Sequence, residues 1–215
     1  MSQDKWGFDE WAGSLDSEVV RAANAGDWIF KDYERVLDKI IEYSFNENDP
    51  SSVIVIGAGT GSLASRFIER RMQVIGLENS EEMRNICEQK FPDMMVVAGD
   101  FLNIPLYLPH VDLIVSDYSF HRLTNAQKVE AVLEMKRTLK PRGSAVIADL
   151  MFRNAAEERR IRQALRDAGR EDILKELDGK YPGLFEELTI IFNEEGFSFR
   201  GERLTESVWI INAFR

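Results

Sequence analysis

The most constraining stretch of the chain is VIVIGAGTGS, residues 53–62. Four consecutive β-branched apolar residues suit a strand covered on both faces, because a strand with one wet face alternates apolar with polar side chains. Gly57, Gly59 and Gly61 follow at every second position, and the helical pattern LASRFIERR starts directly after Ser62. Where a buried strand turns into a helix, absent side chains let backbone N–H groups approach a ligand closely. A phosphate loop of the Gly-Lys-Ser/Thr kind is excluded, since no lysine follows the last glycine. The dinucleotide pattern G-x-G-x-x-G also misses, because Ser62 holds its sixth position and the glycine falls one residue early. A turn rich in glycine for reasons of fold alone is the bland alternative.

The rest of the chain repeats the rhythm. Apolar runs at 53–56, 74–77, 94–97, 111–115 and 145–148 are separated by helical patterns, as in an open parallel sheet built from βαβ units. Before them, Tyr33, Val36, Leu37, Ile40 and Ile41 recur at the helical period, and the polar stretch 46–50 stops that helix. Thr124 and Gln127 predict a capping box for a helix with an apolar stripe of Val129, Val132, Leu133 and Leu139. Ser80 predicts a cap for the helix that points Met83, Ile86 and Cys87 inward. That placement makes Cys87 a small buried hydrophobe before it makes it a nucleophile. Residues 154–168 and 171–178 are charged helical stretches with sparse apolar contacts, which reads as a cover and not a core. The final FSFRGERLTESVWIINAF reads as two strands around a turn near 201–205. Strands this close in sequence cannot form a parallel crossover, so they pair antiparallel.

Composition narrows the function classes. The 215 residues fit one domain, and the single cysteine excludes a disulfide framework and any multi-thiolate metal site within the chain. His110 and His121 are the two histidines, too few for a His-rich metal centre, and His110 reads as a surface loop residue. A formal charge of -10 repels phosphate backbones and anionic lipid, which argues against nucleic acid as a partner. No stretch approaches the length of an apolar membrane span, and the first residues lack the order of a secretory signal, so a cytoplasmic protein is expected, as a monomer or homodimer.

Gly57, Gly59 and Gly61 in G-x-G-x-G order resemble the first motif of class I S-adenosylmethionine-dependent methyltransferases. The string SDYSFHRL, residues 116–123, is similar to the Ser-x-x-x-x-His-x-Leu form of that family's small-molecule branch, and LKPRG, residues 139–143, to its loop before strand five, with Arg142 in place of a frequent glycine. Residues 8–16, FDEWAGSLD, resemble F-D-x-W-A-x-x-Y-D, with Leu15 at the tyrosine position. Over the whole chain the resemblance is to the YrrT-like methyltransferases of Bacillus-type bacteria.

The resemblance implies an α/β fold: a doubly wound, mostly parallel sheet of seven strands ending in an antiparallel strand, Rossmann-like, with a helical lid. It divides the single domain into an N-terminal helical cover (1–50), a cofactor-binding core (51–150), a helical insertion or lid (151–185) and a last helix with the antiparallel pair (186–215). It implies S-adenosyl-L-methionine as cofactor and a small-molecule methyl acceptor. Gly57, Ala58, Gly59 and Gly61 would cradle the cofactor, Glu78 would meet the ribose hydroxyls, Asp100 would accept from the adenine amino group with Phe101 or Leu102 packing the ring, and Asn79 and Gly99 would belong to the same cofactor-binding set. Ser116 would lie at the strand-four end facing the cofactor, and Trp11 would exclude water. For the carboxylates, pairing with a nearby arginine or a turn role stays open. His121 is the expected general base, since histidine's reference pKa lies near ~6.5. Asp117 is expected to bind the methionine amino group or the acceptor, and Tyr118 to help enclose the site. No metal is required. The alternatives are a non-catalytic adenosyl-binding module and an RNA methyltransferase; a nicotinamide-dependent reductase would need the displaced glycine.

Overall fold

In a computed structural model the described residues are 8–46 and 49–215. The first seven residues of the expected N-terminal cover, and part of the polar stop at 46–50, lie outside them. Eight strands make the sheet: β1 (Ser52–Ile56), β2 (Gln73–Leu77), β3 (Met95–Val97), β4 (Val111–Asp117), β5 (Leu139–Phe152), β6 (Gly183–Leu184), β7 (Ser198–Arg203) and β8 (Val208–Phe214). Their order is β3-β2-β1-β4-β5-β8-β7, with the short β6 paired to β5 off that path. β1 to β5 are parallel, while β8 runs antiparallel to both β5 and β7. The chain leaves β1 toward β2 and β3 and then returns to place β4 on the other side of β1. This reversal opens a crevice at the carboxyl ends of β1 and β4.

The unbroken apolar runs follow from burial on both faces. Val53 and Val55 pack into one hydrophobic cluster with Leu37 and Ile40 of α3 (Tyr33–Phe45) and Phe67 of α4 (Ser62–Ile68). Ile54 and Ile56 point the other way, into a second cluster with Val132 and Met135 of α6 (Asn125–Thr138) and Leu188 and Phe192 of α9 (Phe185–Glu194). α5 (Glu81–Lys90) adds Cys87 to the first cluster, and Ser80 accepts the Met83 N–H as expected. The capping box of Thr124 and Gln127 is also present.

Two expectations need correction. On α6, Val129 and Leu133 are exposed, and Ala131, Val132, Met135 and the Lys128 stem take the inward face, so the stripe is rotated from the one read in the sequence. A helix contacting the sheet through one narrow face leaves neighbouring apolar residues in solvent, and periodicity alone does not fix the angle. The charged segment after β5 is also less detached than its composition suggests. α7 (Ala155–Asp167) has no buried residue, but α8 (Glu171–Leu177) buries Ile173, Leu174 and Leu177, and Ile173 and Leu177 join the main cluster. Arg142 takes φ 70, the left-handed region that a glycine adopts without strain.

Candidate functional site

The glycine loop lies at the mouth of the crevice. Gly57, Gly59 and Gly61 take φ values of 72, 54 and 98, and the Gly57 and Ala58 amides donate to the Leu77 carbonyl, anchoring the loop to the end of β2. A Cβ on Gly57 would sit 2.1 Å from Ser119 Oγ, and one on Gly61 would sit 2.5 Å from the Phe91 ring, so neither position has room for a side chain. Gly57, Ala58 and Gly59 face a cavity of about 700 Å³, together with Trp11, Leu15, Tyr33, Glu78, Asp117, Tyr118 and His121. Gly61 is instead a packing glycine beneath the loop, against Phe91 and Cys87. Burial pushes the Cys87 thiol up to about 11, in keeping with a core residue.

Glu78 is nearly enclosed at 7% exposure, and burial raises its carboxyl above the ordinary range against the pull of its backbone bonds. One oxygen accepts the Gly59 N–H and the other the Ser80 N–H, both at 2.9 Å. Each oxygen keeps lone-pair capacity for a further donor, so the same carboxylate that braces the loop can receive two hydroxyls. The N-terminal helices α1 (Phe8–Trp11) and α2 (Leu15–Asn24) reach this loop through carboxylates. Asp16 accepts Thr60 Oγ1 at 2.5 Å and also takes Lys90 Nζ, while Asp9 accepts Ser80 Oγ at 2.5 Å. Trp11 donates its indole N–H to Glu18 at 2.5 Å and stands on the cavity wall.

Other expected residues have local work. Asp100 accepts Asn79 Nδ2 and the Leu102 N–H at 2.8 Å each, which holds the turn after β3, and Gly99 approaches the Asn103 carbonyl closely. Phe101 is buried against Phe120, with ring centroids 5.1 Å apart. Ser116 is fully buried and donates to the Ile56 carbonyl at 2.7 Å, tying β4 to β1. None of Asn79, Gly99, Asp100, Phe101 and Ser116 lines the cavity.

The end of β4 and the turn after it bring further titratable groups to the same cavity. The turn after β4 ends in a short 3-10 turn, Phe120–Arg122. His121 within it is 3% exposed, and its Nδ1 lies 2.6 Å from Asp149 Oδ1. Asp149, near the end of β5, also accepts the N–H groups of Phe120, His121 and Leu150. Burial alone would raise this carboxyl, but His121 and the backbone donors outweigh it and hold it below the usual range. Nδ1 is thus committed to Asp149, and Nε2 is buried with no hydrogen-bond partner among the described residues. Asp117, beside the pair, accepts the Tyr33 hydroxyl at 3.3 Å, and burial lifts its carboxyl to about 7, with the Asp149 charge adding to the lift. Tyr118 holds φ 45, a strained value for a bulky residue, and packs its ring 5.1 Å from Phe30 and 5.7 Å from Tyr33. Its buried hydroxyl has no hydrogen-bond partner among the described residues. Sequence reasoning missed Asp149, Phe30 and Tyr33. A carboxylate closing the apolar run AVIAD at a carboxyl strand end was the one local hint for Asp149.

Among the described residues no group of three or more His, Cys, Asp or Glu is placed to hold a metal ion, and no helix is long and apolar enough to cross a membrane.

Residues 53–143 match the model of a family described as a methyltransferase domain. An uncharacterized YrrT methyltransferase from Halobacillus halophilus is 30% identical over 206 residues, covering 96% of this chain and 94% of the relative. Among solved structures, a methyltransferase from Haloferax volcanii, in complex with its Trm112 activator, aligns with a TM-score of 0.70 at 15% identity over 100% of this chain and 97% of that one. Human N-acetylserotonin methyltransferase, solved in complex with S-adenosylmethionine, aligns with a TM-score of 0.65 at 16% identity, covering 99% of this chain and 59% of that one. At such identities these two likenesses concern the fold.

Proposed function

Because this chain belongs to the class I S-adenosylmethionine-dependent methyltransferases, alongside the YrrT-like proteins, we propose that its cavity joins the cofactor to a small acceptor that His121 deprotonates. One observation carries the proposal: the glycine loop with Glu78, and the Asp149-held His121 with its unpaired Nε2, line the same cavity of about 700 Å³. That volume lies within the ~300–1,000 Å³ usual for small-molecule sites.

The residues present fit the cofactor. Gly57 and Gly59 leave the backbone bare where a side chain would block the crevice, and Glu78 has acceptor capacity for two ribose hydroxyls. Trp11 and Leu15 would cover it from the N-terminal helices, and Asn79, Gly99, Asp100 and Phe101 would bound the adenine end through their turn, as the family resemblance suggests. When bound, S-adenosylmethionine supplies an electrophilic methyl group for in-line displacement by the acceptor.

The remaining chemistry belongs to the chain. A hydroxyl, amine or thiol acceptor must lose a proton as its lone pair becomes bonding. His121 Nε2 is the group free to take it, since Nδ1–H is directed at Asp149 in the tautomer this pairing favours. Asp149 compensates the charge His121 gains. Phe30, Tyr33 and Tyr118 pack into an aromatic wall that limits water, and holding both reactants in one cavity removes much of the entropic cost of their encounter. Asp117 stands beside this wall to receive a polar group of the cofactor or the acceptor. The test is a methyl-transfer assay on fractionated metabolite pools with isotopically labelled cofactor, followed by mass analysis of the product. A labelled small molecule whose formation falls roughly 10²- to 10⁴-fold in His121→Ala is expected. Failure of the folded protein to bind S-adenosylhomocysteine, or full turnover by His121→Ala, would overturn the reading.

A further inference from the structure

Lys128 is an ammonium in an unfavourable place. It is 2% exposed and sits in the first turn of α6, where the helix presents the positive end of its dipole. Burial lowers its amine to about 8, although the Asp149 and Glu187 charges pull the other way. Its partners account for why it is tolerated. Nζ donates to the Leu123 carbonyl at 2.5 Å and to the Tyr181 carbonyl at 2.7 Å, and stands 5.6 Å from the centroid of the Phe120 ring. Three N–H groups thus meet two carbonyls and one aromatic face.

These partners belong to two segments that the chain order keeps far apart. Phe120 and Leu123 flank His121 in the turn after β4, whereas Tyr181 lies on the leg that returns from the helical insertion to α9. Tyr181 also donates its own N–H to the His121 carbonyl at 2.7 Å. Its peptide groups are therefore gripped on both sides. Two residues further on, Gly183 and Leu184 pair with Met151 and Phe152, on the strand that carries Asp149. The leg spans the carriers of both His121 and Asp149.

We propose that Lys128 is a positioning residue for the His121–Asp149 pair: it clasps the return leg, residues 178–184, onto the His121 turn and makes that leg a fixed wall of the acceptor side. Movement in the insertion is then confined to α7, which buries no residue, and does not extend to its return leg. The importance of the pair to catalysis rests on the proposed function, but the clasp does not need methyl transfer to be observed.

The presence of two histidines makes the test direct, because ¹⁵N-histidine labelling yields ring signals from His121 and His110 alone. In Lys128→Met, which keeps the length of the stem and removes every donor, the His121 ring signals should move while those of the exposed His110 stay. Hydrogen exchange at the Tyr181 amide should rise roughly tenfold or more, since its closed state loses one of two anchors. S-adenosylhomocysteine binding, read by calorimetry, should change little, because the glycine loop and Glu78 are untouched. Should Lys128→Met fail to fold, Lys128→Leu, which also removes every donor, carries the same two readouts. A folded variant with unchanged His121 signals and unchanged exchange over 181–184 overturns the clasp. If the wild-type protein does not bind S-adenosylhomocysteine while Lys128→Met shows these changes relative to it, the proposed function is overturned and the clasp stands.

Discussion

Replacing Glu78 by alanine should uncouple two properties that its carboxylate joins. Each oxygen accepts a backbone N–H at 2.9 Å, from Gly59 and from Ser80. Ser80 is fully buried, so its amide loses its acceptor with little access to water, at a cost of about 1–3 kcal/mol. Gly59 is half-buried and can recover part of its bond from solvent, so its loss falls at or below the lower end of that range. Removing the carboxylate also returns the desolvation cost that raises its pKa, which offsets part of the loss. The net destabilisation expected is about 1–3 kcal/mol. That leaves a folded protein by urea titration. Affinity for S-adenosylhomocysteine should fall further. Two charge-assisted bonds to ribose hydroxyls, at about 1.5–3 kcal/mol each before any compensation, correspond to a loss of roughly a hundredfold or more by calorimetry. Glu78→Gln retains one acceptor oxygen and should lie between wild type and Glu78→Ala on both measures. A folded Glu78→Ala protein with wild-type affinity would refute the assignment of Glu78 to the ribose. Wild-type stability would refute its role as a brace for the loop.

Three further outcomes follow from the geometry. Gly57→Ala must place a Cβ at φ 72, 2.1 Å from Ser119 Oγ, so it should abolish S-adenosylhomocysteine binding, while Gly169→Ala, at φ 69 with open space around it, should cost only the roughly 1–2 kcal/mol of left-handed strain and leave binding intact. Asp149→Asn replaces one acceptor oxygen by an NH2 group among the buried N–H donors of Phe120, His121 and Leu150 and should destabilise by about 1–3 kcal/mol in urea, with a shifted tautomer signal for His121 in ¹⁵N spectra; an unchanged tautomer would remove Asp149 as its orienting group. Asp117 has a folded-state pKa of about 7 against 3.8 for the free side chain, so the folded form retains a proton that the unfolded form has lost. Its contribution to stability is therefore greatest below about pH 4 and declines as pH rises to about 7. Asp117→Asn should flatten the urea midpoint across that window relative to wild type, and parallel curves would show that burial does not raise the carboxyl.

The parts of this protein legible in its sequence are those set by neighbours along the chain. The unbroken VIVI run, the alternate glycines after it and the Thr124–Gln127 box each carry their own physical reason within a few residues, and each forms as read. The charged stretches after residue 150 were legible as helices by the same rule. What tertiary structure decided is which of these pieces touch. His121 meets Asp149 because β4 and β5 are adjacent and in register, with Asp117 opposite Ala148, a pairing that no local pattern encodes. The helical face that α6 presents, and with it the burial of Lys128 instead of Val129, depends on where the sheet and the return leg stand. The same holds for the second task of Glu78. Its place after β2 follows from the repeat of strand and helix, but the closing of its carboxylate on the Gly59 amide required the loop and the strand end to be brought together in space. Local propensity acts over a turn or two of chain, whereas a buried polar group needs its partner supplied by whatever the fold places next to it.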